Sequence, residues 1–318
     1  MITLITQPED YSPRAIAIYR TLGRVYFGPE LTGKNKKALK QSVHILVVGL
    51  KYQINSAWID AMPNLKIVAT PTTGLNHIDV DYLKKKGIKL ISLRGRTDFL
   101  KNIPSTAEAT MGLLISLVRN IPWAFDDIKA GNWNRSAWRG HQLVHKTIGI
   151  LGFGRLGKIV ARYARAFGMN IIVSDPYVSK KTTAKLGVRK VAMDRLFKES
   201  DIVSVHVLLT DDTHNLIQEK HLKMMQSAAY LINTARAELI EKGALEKALK
   251  NKWLAGAAID VLWDEQGDGS HLKNDPLVAY ARHNQNLIIV PHIGGATYEA
   301  MQVTEDFIAA LVKKAVDA

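Results

Sequence analysis

The tightest constraint on this chain is a short run of glycines. Gly152-Phe153-Gly154-Arg155-Leu156-Gly157 has the spacing G-x-G-x-x-G, and the apolar segment Thr147-Ile148-Gly149-Ile150-Leu151 leads straight to it. From Leu156 to Phe167 apolar side chains recur at helical spacing. Strand, glycine turn and helix in that order predict the opening of a dinucleotide-binding sheet. Each glycine has its own task. Gly152 permits the tight turn, Gly154 lets backbone amides approach a pyrophosphate, and Gly157 lets the helix pack close to the strand. Arg155 and Leu156 open the helix, whose N-terminus favours an anion. The next apolar run, Ile171 to Ser174, ends at Asp175, about 18 residues beyond Gly157. A carboxylate there bonds a free ribose 2′-hydroxyl and repels a 2′-phosphate, so NAD is expected over NADP. Lys180 and Lys181, close behind, work against that preference.

Strand-like and helix-like runs alternate along most of the chain, which predicts an α/β protein with parallel sheets. Before the glycine motif the strand-like runs are Met1–Thr6, His44–Val48, Ile67–Thr70 and Lys89–Ser92. After it they are Asn170–Ser174, Ile202–Val207, Ala229–Ile232, Ala257–Val261 and Leu287–Val290. Helices are expected at Val80–Lys86, Thr106–Ile121 (closed by Pro122), Gly243–Lys252 and Tyr298–Val316, with an irregular loop from Trp123 to His145.

Three segments follow strands at the end where open parallel sheets place their ligands. They are Asn233-Thr234-Ala235-Arg236, Asp260-Val261-Leu262-Trp263-Asp264-Glu265 and Pro291-His292-Ile293-Gly294-Gly295-Ala296-Thr297. An arginine, a glutamate and a histidine are thereby candidates to converge beside a nicotinamide. With the glycine motif and Asp175, these segments resemble the D-2-hydroxyacid dehydrogenase family, in the family's order and over essentially the whole chain.

The resemblance implies two Rossmann-like parallel-sheet domains with a cleft between them. A flavodoxin-like substrate domain would comprise residues 1–98 and 297–318, and an NAD-binding domain residues 99–296. It implies Arg236, Glu265 and His292 as catalytic residues. Hydride transfer to a 2-keto acid leaves a developing alkoxide that needs a proton and a nearby positive charge. His292 would donate the proton, Glu265 would hold the ring and favour its charged form, and Arg236 would bind carboxylate and carbonyl oxygens. By the same resemblance Asp260, Thr234, Ala235, Val207, Thr213, Gly294, Gly295 and Thr106 face the cofactor. Amides of Thr73 and Gly74 would receive the substrate carboxylate. Lys51 would keep a positive charge where phosphoglycerate dehydrogenases carry two arginines. Arg94, Arg96 and Lys101 are further cations for an acidic or phosphorylated substrate, while Trp263 either walls a pocket for an apolar side chain or simply packs.

The chain departs from the family pattern at Ala109, Leu208, Ala237 and Glu241. It ends about 20 residues after Thr297, so the C-terminal regulatory domain of some phosphoglycerate dehydrogenases is not expected. Formate dehydrogenases are disfavoured because they carry glutamine where Glu265 stands. A homodimer formed through the nucleotide domain, with the Thr106–Ile121 helix contributing, is expected by resemblance. The main alternative to an enzyme is a dinucleotide-sensing protein like the family's corepressors, some of which keep the trio.

Composition narrows the rest. Cysteine is absent, which excludes disulfide scaffolds, zinc ribbons and a catalytic thiol and suits a reducing cytoplasm. No metal site is expected, and no run of apolar residues is long enough for a membrane span. Lys+Arg 43 against Asp+Glu 29 gives a formal charge of +14. Such a field draws anions, here a dinucleotide and a small anionic 2-hydroxy or 2-keto acid. No nucleic-acid-binding motif accompanies it. The lysine groups at Lys34–Lys37 and Lys84–Lys86 have no assigned task.

Overall fold

The computed structural model describes residues 1–9, 11–28, 36–265 and 267–318. Two parallel sheets form. The first contains β1 (Ile2–Ile5), β2 (Arg24–Phe27), β3 (Ile45–Val47), β4 (Ile67–Thr70) and β5 (Lys89–Ser92), in the order β2-β1-β3-β4-β5. The second contains β6 (Thr147–Leu151), β7 (Asn170–Ser174), β8 (Arg189–Lys190), β9 (Ile202–Val205), β10 (Tyr230–Asn233), β11 (Gly256–Ile259) and β12 (Leu287–Ile289). Its order is β12-β11-β10-β9-β6-β7-β8. The first order is flavodoxin-like, and the second is the doubly wound order with one added strand. Each reverses at one place, between β1 and β3 and between β6 and β9. A doubly wound sheet binds ligands beyond the strand ends at that place.

The strands were legible as unbroken apolar runs because both faces of each sheet are covered. Along β9 to β11, Val203, Val205, Leu231, Ala257 and Ile259 enter one core. Their neighbours Ile202, Ile232 and Ala258 enter the core on the other face, with Ile148 and Ile150 of β6. The first sheet divides likewise, with Ile5, Val47 and Ala69 on one side and Leu4, Leu46 and Val68 on the other. The helix Arg155–Ala166 buries Gly157, Val160, Ala161 and Ala164, a stripe at helical spacing. That stripe shares its core with Met111, Leu114 and Leu117 of the helix Ser105–Val118.

The chain divides into two compact units, Met1–Ile103 with Gln266–Ser270 and Ala296–Ala318, and Pro104–Glu265 with His271–Gly295. In the first unit the terminal helix Tyr298–Asp317 packs on the helix Pro13–Leu22. The Ser12 amide donates to Glu305 Oε2 (2.7 Å) and its hydroxyl to Asp306 Oδ1 (2.5 Å). Phe99 stacks on Phe307, with ring centroids 3.8 Å apart, and Leu100 is buried in the same core.

Two sequence expectations are corrected. The helix expected to run from Thr106 to Ile121 ends at Val118, and Asn120 takes a left-handed φ of 55°. Pro122 does not close it but lies in the first turn of another helix, Ile121–Lys129, where its missing N–H costs nothing. The irregular loop therefore begins after that helix. The strands β2 and β8 and the helix Pro13–Leu22 were not anticipated. Of the lysine group at Lys34–Lys37, Lys34 and Asn35 lie outside the described residues. Among the described residues no helix is long and apolar enough to cross a membrane, and no cluster of side chains suits a metal ion.

Candidate active site

The glycine loop joins β6 to the helix Arg155–Ala166 beside the β6/β9 reversal. Gly152 has a φ of +88°, and a Cβ there would lie 2.7 Å from the His206 carbonyl carbon and 2.9 Å from the Val207 nitrogen. A Cβ at Gly157 would run into the Gly152 carbonyl oxygen. Both glycines are thus demanded by the fold itself. Gly154 is not, because a Cβ there would meet no atom within 4 Å. It is the N-cap of the helix and supplies no side-chain cap. Its bare backbone fits an anionic group laid against the helix N-terminus. Arg155 and Leu156 are half-buried in the first turn, and burial lowers the Arg155 guanidinium below its usual value.

Asp175 bridges this loop to the end of β7. Its Oδ2 accepts from the Phe153 amide and its Oδ1 from the Tyr177 amide, both at 2.8 Å. The carboxylate is held in place, and each oxygen keeps a further lone pair for a hydroxyl.

The three candidate catalytic residues lie in one unit, and the structure brings them together. Glu265 Oε2 is 2.7 Å from His292 Nδ1, and Arg236 Nη1 is 3.5 Å from His292 Nε2. Glu265 Oε1 accepts from the Leu262 amide at 2.8 Å. Burial raises the Glu265 carboxyl, but hydrogen bonding from His292, the charges of His292 and Arg236 and the Leu262 amide outweigh it. The net position is below the usual carboxylate range. An ionised carboxylate only accepts, so the Nδ1 proton is on the histidine, and Nε2 is the atom left for proton exchange. Burial lowers the Arg236 guanidinium, opposed by Glu265, Glu238 and Asp260.

The turn that presents Arg236 is built by Asn233, the last residue of β10. Its side chain accepts from the Ala235 amide (3.0 Å) and donates to the Arg236 carbonyl (2.8 Å). Arg236 Nη1 in turn donates to the Ala235 carbonyl at 2.7 Å. Thr234 shares a hydrogen bond with Thr110 (2.8 Å between hydroxyls), and Thr110 donates to the Thr106 carbonyl at 2.7 Å. His292 is held by Asp260, whose Oδ1 accepts from the Ile293 amide (2.6 Å) and Oδ2 from the Gly294 amide (2.8 Å). His292 itself sits at a φ of +55°, uncommon for a side chain of its kind. Burial raises the Asp260 carboxyl above the usual range, against the pull of those two amides and the charge of His292.

The other expected cofactor residues are distributed more loosely. Val207 is half-buried just past β9. The Thr213 hydroxyl accepts from the Thr210 amide (2.8 Å) and donates to the Leu208 carbonyl (2.7 Å), so it shapes its own loop. Thr106 lies against Gly294, whose hypothetical Cβ would be 3.2 Å from Thr106 Cγ2, while Gly295 faces open space.

In the first unit, Lys51 follows β3 at the β1/β3 reversal, where its amide donates to Gln7 Oε1 at 3.1 Å. Thr73 and Gly74 lie in the turn after β4, fixed by the Thr72 hydroxyl donating to the Gly74 carbonyl at 2.8 Å. Arg94 and Arg96 are exposed beyond the edge strand β5, two strands away from β3. Residues missed by sequence reasoning are Asn233, Thr110 and His206. Burial pushes His206 down to about 4, and its Nε2 is 2.8 Å from the Ser204 hydroxyl. Asn233 stands inside the motif of Arg236 but its two bonds are to the backbone, Thr110 pairs with a residue 124 positions away, and His206 is marked only by its burial.

A doubly wound sheet with a glycine loop at its reversal is the architecture of α/β proteins that bind nucleotides beyond their strand ends, and here a Glu–His–Arg constellation lies in the same unit. The family model for the D-isomer specific 2-hydroxyacid dehydrogenase NAD binding domain matches residues 111–294. The hydroxypyruvate reductase of Thermotoga maritima is 36% identical over 260 residues, 82% of this chain and 80% of that protein. The D-3-phosphoglycerate dehydrogenase of Methanocaldococcus jannaschii is 34% identical over 314 residues, 98% of this chain. The chain spans 56% of that relative's length and 52% of the Bacillus subtilis one. The crystal structure of D-lactate dehydrogenase from Aquifex aeolicus complexed with NAD and lactic acid superposes with a TM-score of 0.84 at 27% identity. It covers 100% of this chain and 96% of that one. The chain belongs to the D-isomer specific 2-hydroxyacid dehydrogenase family.

Proposed function

We propose that this protein is an NAD-dependent oxidoreductase that interconverts a D-2-hydroxy acid and its 2-keto acid. The observation that carries the reading is the arrangement around one imidazole, with Glu265 on Nδ1 at 2.7 Å and Arg236 at 3.5 Å from Nε2. The nicotinamide, when bound, supplies or takes the hydride. Gly152, Gly154 and Gly157 with Asp175 would hold the dinucleotide, together with Arg155, Leu156, Val207, Thr213, Thr234, Ala235, Asp260, Gly294, Gly295 and Thr106. His292 delivers a proton from Nε2 to the carbonyl oxygen in reduction and takes it back in oxidation. Glu265 holds the ring by its Nδ1 proton and keeps it in the tautomer that frees Nε2. Arg236 offers a planar fork to the substrate carboxylate and a positive charge to the developing alkoxide.

The 1–98/297–318 and 99–296 division assigns substrate binding to the first unit and NAD to the second. Thr73 and Gly74 receive the substrate carboxylate. Lys51, at a sheet reversal, favours an acidic or phosphorylated acid. NAD is preferred over NADP because Asp175 would repel a 2′-phosphate, although an acyclic imino acid reductase complexed with NADPH has a similar fold, with TM-score 0.80 and 26% identity.

A cytoplasmic homodimer completes the reading. The helix Ser105–Val118 buries Ala107, Met111, Leu114 and Leu117 in its own core and is a poor contact surface. The next helix exposes Ile121 (48%), Phe125 (61%) and Ile128 (48%), followed by Trp133 (90%). That stripe at helical spacing is the surface a second copy would cover.

The test is a panel of 2-keto acids, including pyruvate, hydroxypyruvate and its phosphate, with NADH or NADPH, read by nicotinamide absorbance. Turnover with NADH, lost by at least a thousandfold in His292→Ala, is expected. Tight NADH binding without turnover on any acid would instead favour a sensor, and a preference for NADPH would overturn the role of Asp175.

A further inference from the structure

A cavity of about 270 Å³ opens within the second unit on walls that the proposed reaction does not use. Its apolar lining comes from Ile240, Leu245, Ile259, Leu262, Trp263 and Leu277. Two of its walls continue directly into the catalytic turns. Asn233 and Ala237 bracket the segment that carries Arg236, and Leu262, Trp263 and Asp264 lead to Glu265. Arg236 and Glu265 themselves do not line it.

The charged groups around it are unequal. Glu241, Glu246, Asp264 and Asp275 line it against the single lysine Lys242. That lysine is already engaged, its Nζ 2.6 Å from Asp264 Oδ2 and 5.3 Å from the centre of the Trp263 ring. Glu246 holds Lys250, also at 2.6 Å. The Glu241 carboxylate accepts a backbone amide, that of Glu219, at 3.1 Å. Asp275 Oδ1 accepts the amides of Leu277 and Val278 at the start of a helix. Four carboxylates on the lining, against Lys242 and His271, therefore oppose a carboxylate and favour a cation, and the same lining offers apolar and aromatic surface.

We propose that this cavity is a binding site for a small apolar amine. Its hydrocarbon part lies against Trp263 and Leu245, and its ammonium lies on the carboxylates of Glu241 and Asp275. Because the walls continue into the turns bearing Arg236 and Glu265, an occupant changes kcat without competing with the keto acid. The site thus gives the protein an effector whose chemistry is opposite to that of its substrate.

Calorimetric titration of the whole chain with phenethylamine and with 3-phenylpropionate, without cofactor or keto acid, tests the site independently of the proposed reaction. Phenethylamine is expected to bind at least tenfold more tightly than the acid. Leu245→Phe, which fills the cavity, and Glu241→Gln, an exposed change that leaves the fold intact, should each weaken the amine at least fivefold. No binding of the amine at millimolar concentration, or equal binding of amine and acid, overturns the proposal. So does affinity unchanged in both variants, or displacement of the amine by a 2-keto acid.

Discussion

The neighbouring glycines of the His292 loop provide a controlled experiment. A Cβ at Gly294 would lie 2.7 Å from Asp260 Oδ2, whereas a Cβ at Gly295 would meet nothing within 4 Å. Neither has a positive φ, so strain in the backbone does not separate them. In Gly294→Ala the carboxylate must retreat, and Asp260 is only 1% exposed, so water cannot replace the lost Gly294 amide bond. A hydrogen bond to a charged group is worth about 1.5–3 kcal/mol. A loss of roughly 2 kcal/mol lowers the melting midpoint of a unit this size by about 4–8 °C. The same carboxylate fixes the amides on either side of the next peptide, which hold His292 at its φ of +55°. Displacing that ring by about 1 Å would cost on the order of a hundredfold in kcat. Thermal melts and steady-state kinetics of both single variants check this. Gly295→Ala should melt with the wild type. A Gly294→Ala protein that melts within a degree of wild type and keeps its kcat would refute the reasoning.

Two further outcomes follow from the charged groups. Glu305 is buried, and burial, the Ser12 amide opposing it, together with the charge of Asp306, leaves its carboxyl raised to about 7 from 4.5. A raised carboxyl contributes most below its unfolded value and loses that contribution as pH rises through the folded one. Wild-type stability should therefore fall by roughly 3 kcal/mol between pH 5 and pH 8, and Glu305→Gln should melt about 6–12 °C above it at pH 8 but not at pH 5; an equal difference at both pH values would speak against it. Glu265→Gln keeps the size of the side chain but replaces the carboxylate that accepts the His292 Nδ1 proton at 2.7 Å. A hydrogen bond to a charged group is worth about 1.5–3 kcal/mol, so kcat/KM for reduction should fall at least about tenfold while the melting midpoint changes little; an unchanged kcat/KM would argue that Glu265 acts by shape alone.

What could be read from the sequence was what local physics repeats. Strands covered on both faces must be apolar throughout, and Ile148–Leu151 or Ile171–Val173 announce themselves. β2 and β8 sit at sheet edges with mostly half-exposed or exposed residues, and β8 is two residues long, so neither forms such a run. Pro122 misled because a proline reads as a stop from one side and as a start from the other. In the candidate site, the glycines and the Arg–Glu–His set carry their own spacing. Asn233 was visible only as part of a motif, since its work is two hydrogen bonds to a turn. Thr110 was invisible, because its partner Thr234 lies 124 residues away. The cavity beside Trp263 requires three separate stretches of chain and leaves no trace in any one of them.

The contact between Ser12 and Glu305 has a consequence for how the chain reaches this state. The two residues are 293 apart, and closing a flexible loop of that length costs on the order of 5 kcal/mol of entropy. On a ribosome the helix Pro13–Leu22 waits without its packing partner until Tyr298–Asp317 has been made. The second unit shortens that wait in space, if not in time. Its entry and exit, at Thr106 and Gly294, touch each other. Once it has folded, the stretches of chain before Thr106 and after Gly294 start from neighbouring residues, and a search over a long loop becomes a short one.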